Sequence, residues 1–431
     1  MASQHKLVVD QQLLHLYYQN FHPAHPILIP LSALQGSLAE YIPPQLLTVM
    51  RYIGAHYHRD ESIRQTLKAS ALETTSFTSP DAATDGFWVQ CMLLLAISEH
   101  AHDGESKTFI EPAVSRSLEL GMHDSSFAKG HGFDSPFLEE MWRRTYWELY
   151  VVDVLLSAPR QQESLLYLME SDVSLPCDEV LYNEAESTIP QGCLLKDLTE
   201  DSSRGPQDVK FSSFAYRINA TRLLGQVLSL PGAVTDNIFK DTDNALSEWQ
   251  RQFPFRADDF QADSTHFGEM IFQAQMIVHS AVIYLHQPLS NLPRLWAKGQ
   301  DSSTSQPSIT SRFFFPPSSS SSTTTSSNNK TDIFNPHTTR IMQEADSLTK
   351  LLTQTHSAVE RHSPFLIHGV VVGSLVYVAA YVQSPGENDL SKQRMSLAVG
   401  VLKKLGVTWP LAGTVKKELS QIYRDAVSDS G

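Results

Sequence analysis

Asp258, Asp259 and Asp263 come nearest to reactive chemistry, because clustered carboxylates on a helix can hold Mg²⁺ against a diphosphate, as an all-helical enzyme of terpene cyclase type requires. Their setting argues against that use. They stand in PFRADDFQADSTHFG between Pro254 and Gly268, which reads as a polar loop and not as a helix facing an apolar cavity. A second metal-holding cluster would begin at Asn388-Asp389-Leu390-Ser391, but no acidic residue follows at a suitable helical offset. The 17 histidines need a metal test, since His22 and His25, His56 and His58, and His100 and His102 are closely spaced, with Glu99 and Asp103 flanking the last pair. None has the i, i+4 spacing of an HExxH site or a second ligand cluster, so neither metal nor cofactor is expected. His22 and His25 lie in a Pro-rich entry loop, where side-chain capping is the ordinary use. No Gly-x-Ser-x-Gly elbow, phosphate-binding loop or dinucleotide fingerprint occurs, which removes the usual warrants for a catalyst.

A different kind of signal lies in Met141 to Ser157, MWRRTYWELYVVDVLLS. Trp142, Tyr146, Leu149, Tyr150, Val152 and Leu156 share a broad apolar face at 3.6 residues per turn, and neither Gly nor Pro interrupts them. A buried or nearly buried helix is expected. Glu139 and Glu140 precede Arg143 and Arg144 by four residues, and Glu148 follows Arg144 by four, so pairing along the other face is available. Asp153 sits between Val152 and Val154, where a carboxylate is costly unless a donor meets it. One or both arginines are the expected donors, and the role expected for Asp153 is structural.

The pattern Arg-Arg-x-x-Trp-x-x-x-x-x-Asp, formed by Arg143, Arg144, Trp147 and Asp153, resembles the central motif of the fungal-specific transcription factor domain. Four further pieces fall in that family's order. They are FHPAHPILIP at Phe21 to Pro30, AVSRSLELGMH at Ala113 to His123, DVSLPCDE at Asp172 to Glu179 and VIYLHQPL at Val282 to Leu289. The resemblance spans about Phe21 to Tyr381. It departs after the signature helix, where APRQQES at Ala158 to Ser164 replaces a Gly-Arg-Pro-like turn. It implies an all-α regulatory region acting in the nucleus on a metabolic or secondary-metabolite gene cluster, with Arg143, Arg144, Trp147 and Asp153 as scaffold. The implied partners are a protein, either a DNA-binding regulator or a second copy of the chain, and a small-molecule effector.

Members of that family carry a zinc binuclear cluster, which needs six cysteines in two close-spaced groups. Only Cys91, Cys177 and Cys193 are present, far apart, and each reads as a small buried hydrophobe in a reducing compartment. The cluster is therefore read as missing, and the chain as beginning almost directly in the regulatory region. A net charge of −14 is also wrong for gripping phosphates, so direct DNA binding is not expected. A truncated gene model whose upstream exon encodes the cysteines, and a ligand-binding scaffold without a role in transcription, remain as alternatives beside the cyclase.

The elements that must position these residues read as helices throughout. They are expected at Asp10 to Gln19, Pro44 to His58, Ser62 to Leu72, Gly86 to Ala101, Glu111 to Leu120, Ser135 to Ser157, Phe211 to Leu228, Thr235 to Gln252, Glu269 to His286, Thr338 to Thr355 and Pro364 to Val382. A last pair is expected at Lys392 to Leu405 and Leu411 to Val427. Leu366 to Val382 approaches the length of a membrane span but lacks basic flanks, so it is read as a core helix and no membrane contact is expected. Glu184 to Asp208 reads as a mobile loop in which Gly192 to Leu195 could dock. The Ser/Thr/Asn tract from Asp301 to Asn335 cannot bury enough apolar surface to fold, and its Arg312-Phe313-Phe314-Phe315 run reads as a sticky patch in a linker. The expected organisation is a helical region over 1–300, a disordered insertion over 301–335, and C-terminal helices over 336–431 packing on the same core.

Overall fold

The computed structural model describes residues 2–75, 85–102, 106–158, 164–184, 189–190, 192–200, 211–230, 235–254, 265–293, 335–354, 359–383 and 389–428, and among them every regular element is helical. Asp258, Asp259, Asp263, most of the Ser/Thr/Asn tract with its Phe313 run, and residues 159–163 of the loop after the signature helix lie outside the described residues.

The first half contains α1 (Ala2–Asn20), α2 (Leu31–Leu34), α3 (Pro44–Ala55), α4 (Glu61–Thr75), α5 (Gly86–His102), α6 (Lys107–Glu119), α7 (Ser125–His131) and α8 (Pro136–Ser157). The second contains α9 (Glu179–Asn183), α10 (Leu195–Glu200), α11 (Ser213–Leu228), α12 (Asp236–Gln252), α13 (Thr265–His286), α14 (Pro336–Gln354), α15 (Leu366–Gln383), α16 (Asp389–Leu405) and α17 (Pro410–Ser428). Local chemistry sets many of the starts. Pro44 and Pro136 occupy first-turn positions, where their missing N–H costs nothing. The Asp124, Asp178 and Ser212 side chains accept from the N–H groups of Ser126, Val180 and Ala215 at the starts of α7, α9 and α11. At the end of α6, Gly121 supplies the left-handed turn, φ +72°, that reverses the chain.

Two differences from the expected boundaries have simple causes. α6 begins at Lys107, four residues before Glu111, with Pro112 inside it. The proline removes one early backbone bond while the Ile110 N–H still donates to Ser106, so the turn before it forms. α10 lies within the stretch read as a mobile loop. The Leu194 N–H there donates to Asp197 at 2.7 Å, and the Cys193 carbonyl accepts from the Leu175 N–H at 2.7 Å, so this piece docks against DVSLPCDE.

α8 is the pivot, touching α5, α6, α7 and α11. α1 packs on α3, α3 on α4 and α5, and α5 on α6. Gly54 makes the α1 contact close, because a Cβ there would stand 2.0 Å from the Leu13 carbonyl oxygen. On the other side α11 runs along α13, α13 meets α14 and α15, α15 meets α16 and α17, and α17 returns to α5. One apolar cluster runs through the molecule from Tyr17 to Ala426. α15 has a mean hydropathy of 1.7 and is the one helix among the described residues long and apolar enough to cross a membrane; 72% of that window is buried inside the protein.

Candidate functional site: a buried ionic lattice

α8 is more deeply enclosed than its sequence suggests. Glu140, Arg144, Glu148 and Asp153 are all buried with the apolar face, Arg144 and Glu148 at 0% exposure. A helix that buries charge at three turns needs a partner for each.

Around Arg144 the partners come from its own helix and from two distant segments. Nε donates to Glu140 Oε1 at 2.9 Å, Nη2 to the Cys177 carbonyl at 2.7 Å and Nη1 to the Pro26 carbonyl at 3.4 Å. The guanidinium lies 4.2 Å over the Tyr182 ring. Glu140 in turn accepts from the Cys177 N–H at 2.9 Å, and Trp147 donates its indole N–H to the Ser174 carbonyl at 2.9 Å. FHPAHPILIP, the signature helix and DVSLPCDE are thus clasped by one arginine. Burial, followed by the nearby Glu140, pushes the Cys177 thiol up to about 12, so it is an inert neighbour here.

One turn further along, Glu148 takes two hydrogen bonds from Arg217 of α11, Nη1 to Oε2 at 2.5 Å and Nη2 to Oε1 at 2.9 Å, and one from His25 Nδ1 at 2.7 Å. Burial alone would raise this carboxyl, but the Arg217 guanidinium and the His25 hydrogen bond outweigh it and hold it at about 2. Burial keeps His25 below its ordinary value against the pull of Glu148. The ring is therefore assigned as neutral, Nδ1–H donating to Glu148 and Nε2 accepting from the Ser363 hydroxyl at 3.1 Å. The Ser363 N–H donates to Glu269 Oε1 at 3.2 Å, and His362 Nδ1 meets Glu269 Oε2 at 2.5 Å. Burial would raise Glu269 and lower His362, yet their mutual attraction wins, leaving Glu269 below and His362 above its ordinary value. The lattice therefore reaches from the entry loop through α8, α11 and α13 to the start of α15.

The remaining motif pieces are held by contacts outside this lattice. Ser171 donates to the His123 carbonyl at 2.9 Å, and Asp172 accepts from the Ser125 N–H at 2.7 Å and from its hydroxyl at 2.8 Å, tying AVSRSLELGMH to DVSLPCDE. In VIYLHQPL, His286 meets Asp243 at 3.0 Å and His337 at 2.9 Å. Beside it Asn335 Nδ2 donates to the Leu289 carbonyl and to Asn291 Oδ1, each at 3.0 Å, and the Asn291 N–H donates to Thr338 at 3.0 Å. These bonds close a stem under residues 294–334.

Several sequence expectations are corrected here. Asp153 does not pair with Arg143 or Arg144; Oδ2 accepts from the Ser164 hydroxyl at 2.7 Å and the Leu166 N–H at 3.1 Å, because both arginines point back toward Glu139 and Glu140. Glu148 does not serve Arg144, since Arg217 and His25 take it. His25 is no cap but a member of the lattice, and His56, read as one of a close-spaced pair, meets Ser98 at 3.2 Å instead. Arg217, Glu269 and His362 escaped the sequence reading altogether. For Arg217 and Glu269 the only signal was a charged residue in otherwise apolar helical surroundings, and His362, in the polar turn before α15, gave none.

Chemically, the lattice groups Arg144, Glu140, Glu148, His25 and Glu269 are shut away from solvent and bonded mainly to one another, an arrangement suited to holding elements together. Between α14, α15 and α16 lies a cleft of about 10 Å³ lined by Thr349, Ser374, Tyr377 and Arg394, room for a single water molecule.

The molecule is an all-helical domain in which three of the sequence motifs meet in one buried lattice. It belongs to the fungal specific transcription factor domain family, whose model matches residues 14–250. The chain is 31% identical over 426 residues to the C6 finger domain transcription factor iacK of Pestalotiopsis fici, covering 96% of this chain and 60% of that one. It is 25% identical over 293 residues to the acetamidase regulatory protein of Emericella nidulans, covering 64% of this chain and 33% of that one. The chain thus spans about 60% of the first relative and about a third of the second. No solved structure matches it.

Proposed function

We propose that this chain is the regulatory region of a fungal transcription regulator, acting in the nucleus on a metabolic or secondary-metabolite gene set and carrying no enzymatic activity. The observation that carries the reading is the convergence of three family motif segments on the buried Arg144, within a chain of this family. The relatives named as a transcription factor and a regulatory protein support it. Arg143, Arg144, Trp147 and Asp153 are scaffold in this proposal and touch no effector: Arg144 and Trp147 hold α8 against the entry loop and DVSLPCDE, Arg143 supports Glu140, and Asp153 ties down Ser164 and Leu166. The helices over 336–431 work with those before 300 as one unit, and 301–335 is an insertion between them.

Three cysteines cannot form a six-cysteine cluster within these 431 residues. DNA contact therefore lies outside these 431 residues, in a DNA reader on a protein partner or elsewhere in a longer chain, and a small effector tunes the helical region. The reading is tested by fusing the chain to an unrelated DNA-binding module in a fungal reporter strain. A several-fold change in reporter output, in either direction, is expected. Unchanged output from a fusion that is folded and nuclear overturns the reading.

A further inference from the structure

From Leu390 to Lys417 the chain carries six Lys and Arg and no Asp or Glu, although its net charge is −14. This stretch is nearly all of α16 and the first turns of α17. Arg394 is already engaged, reaching Asp346 at 2.8 Å and lying 4.8 Å over the Tyr377 ring. Lys392, Lys403, Lys404 and Lys417 are exposed and Lys416 is half-buried, and none of these five lysines has an ion pair among the described residues.

Four of the lysines gather where α16 meets α17. A Cβ on Gly406 would stand 3.2 Å from the Gly413 N and 3.4 Å from its Cα, so the chain crosses itself there backbone to backbone. Lys403 is three residues before Gly406 and Lys416 three after Gly413, which sets each lysine pair about one helical turn from the same crossing. Val407 tops the turn at 77% exposure. The tip is firmly seated: Trp409 is fully buried, its N–H donates to the Leu405 carbonyl at 2.8 Å, and its ring lies 5.2 Å from that of His56 and 5.9 Å from that of Tyr57. Helix chemistry accounts for half of the charge. Lys403 and Lys404 suit the last turn of α16, where the helix dipole favours cations. Lys416 and Lys417 stand in the N-terminal half of α17, with no acid in its first turn and none three or four residues from either lysine.

We propose that this tip is a docking surface for a short segment of another protein in which acidic and apolar residues alternate. Four lysines without a carboxylate among them repel one another, and a row of carboxylates laid across them removes that cost. Val407 gives the apolar side chains of such a segment a seat between the two pairs. Duplex DNA fits less well. As a long polyanion it would run past the acidic remainder of the chain, whereas a short peptide stays within the roughly 8–10 Å over which the lysines act, and an exposed valine offers nothing to a phosphate. Such docking needs no role in transcription, since charge and exposure alone create it.

The test is fluorescence anisotropy of the full chain with three labelled probes: a peptide alternating Asp or Glu with Leu or Phe, the same peptide with Asn and Gln in place of the acids, and a short DNA duplex. The acidic peptide is expected to bind, more weakly as salt rises, and the uncharged one not to bind. Lys403→Gln with Lys404→Gln, and Lys416→Gln with Lys417→Gln, should each weaken binding about fivefold to tenfold, and Val407→Ser several-fold. Lys240→Gln, at an exposed lysine of α12, is the control and should bind as the unsubstituted chain does. None of the substituted side chains is buried, so the melting temperature should hold in every variant and loss of binding is not loss of fold. Equal binding of the uncharged peptide, tighter binding of the duplex, no binding of the acidic peptide, or lysine variants indistinguishable from Lys240→Gln overturns the proposal.

Discussion

Replacing Arg144 by methionine keeps most of the side-chain volume and deletes the charge. It leaves the Glu140 carboxylate, 1% exposed, without its bond from Nε, and it orphans the Cys177 carbonyl, previously 2.7 Å from Nη2. The longer 3.4 Å bond to Pro26 and the contact over Tyr182 go as well. Orphaning a buried neutral acceptor costs about 1–3 kcal/mol, and breaking a buried pair from one side costs about 3–5 kcal/mol in total. Arg143 still reaches Glu140 at 2.9 Å, which caps the damage, so a loss of about 3–4 kcal/mol is expected within that range. The control is Arg143→Met, whose side chain is 16% exposed and whose loss leaves Glu140 held by Arg144; about 1 kcal/mol is expected there. Urea unfolding of the full chain followed by circular dichroism reads both. An Arg144→Met midpoint indistinguishable from that of Arg143→Met refutes the reasoning, because the clasp would then contribute no more than a surface pair.

Other expectations follow from the same contacts. Burial, reinforced by Arg64, His102 and Lys68, holds His56 down at about 3, so below pH 6.5 the unfolded chain takes up a proton the fold refuses. Stability from this group is full above pH 6.5 and falls by about 1.4 kcal/mol per unit toward pH 3, about 2 kcal/mol by pH 5, and His56→Gln should flatten that part of a melting-versus-pH curve. His362 has the opposite sign: raised by Glu269, it contributes fully below pH 6.5 and its share is lost as pH rises through its folded value, so His362→Gln should destabilise more at pH 6 than at pH 8. Asp153→Leu strips the Ser164 hydroxyl and the Leu166 N–H of their acceptor and should cost about 2 kcal/mol in urea unfolding; an unchanged midpoint removes the role given to this carboxylate. Deleting residues 297–332 and joining the ends with a short Gly/Ser linker leaves the stem bonds of Asn335, Asn291 and Thr338 intact, so the melting transition should move by less than about 1 kcal/mol equivalent.

How far the chain was legible depends on the distance over which each feature is determined. α8, α13 and α15 were readable because long apolar runs with no proline in their interiors report burial directly, whatever their neighbours do. α7, α9 and α10 were not, being 7, 5 and 6 residues long and defined by turns more than by periodicity, although the Asp124 and Asp178 caps left a trace. The clasp at Arg144 was half visible: Glu140 is four residues away, but the Cys177 and Pro26 carbonyls are 33 and 118 residues distant. Glu148 was misassigned for the same reason. Helical spacing offers Arg144 as its nearest cation, while the fold delivers Arg217 from 69 residues later and His25 from 123 earlier. A bidentate guanidinium in a dry interior outcompetes an i, i+4 alternative that is already occupied. Burial of Glu140, Arg144 and Glu148 on α8, unlike that of Asp153, could not be foreseen from an amphipathic pattern, since that pattern sends them to solvent.

The claim tested most directly is that this helical region works in transcriptional control. Crosslinking and recovery of the tagged chain from its native host, with the DNA and the co-purifying proteins both sequenced, is the decisive measurement. Promoter DNA recovered together with a protein that carries a DNA reader, and lost with Arg144→Met, is the expected result. Recovery of neither from cells in which the tagged chain is abundant and folded contradicts it.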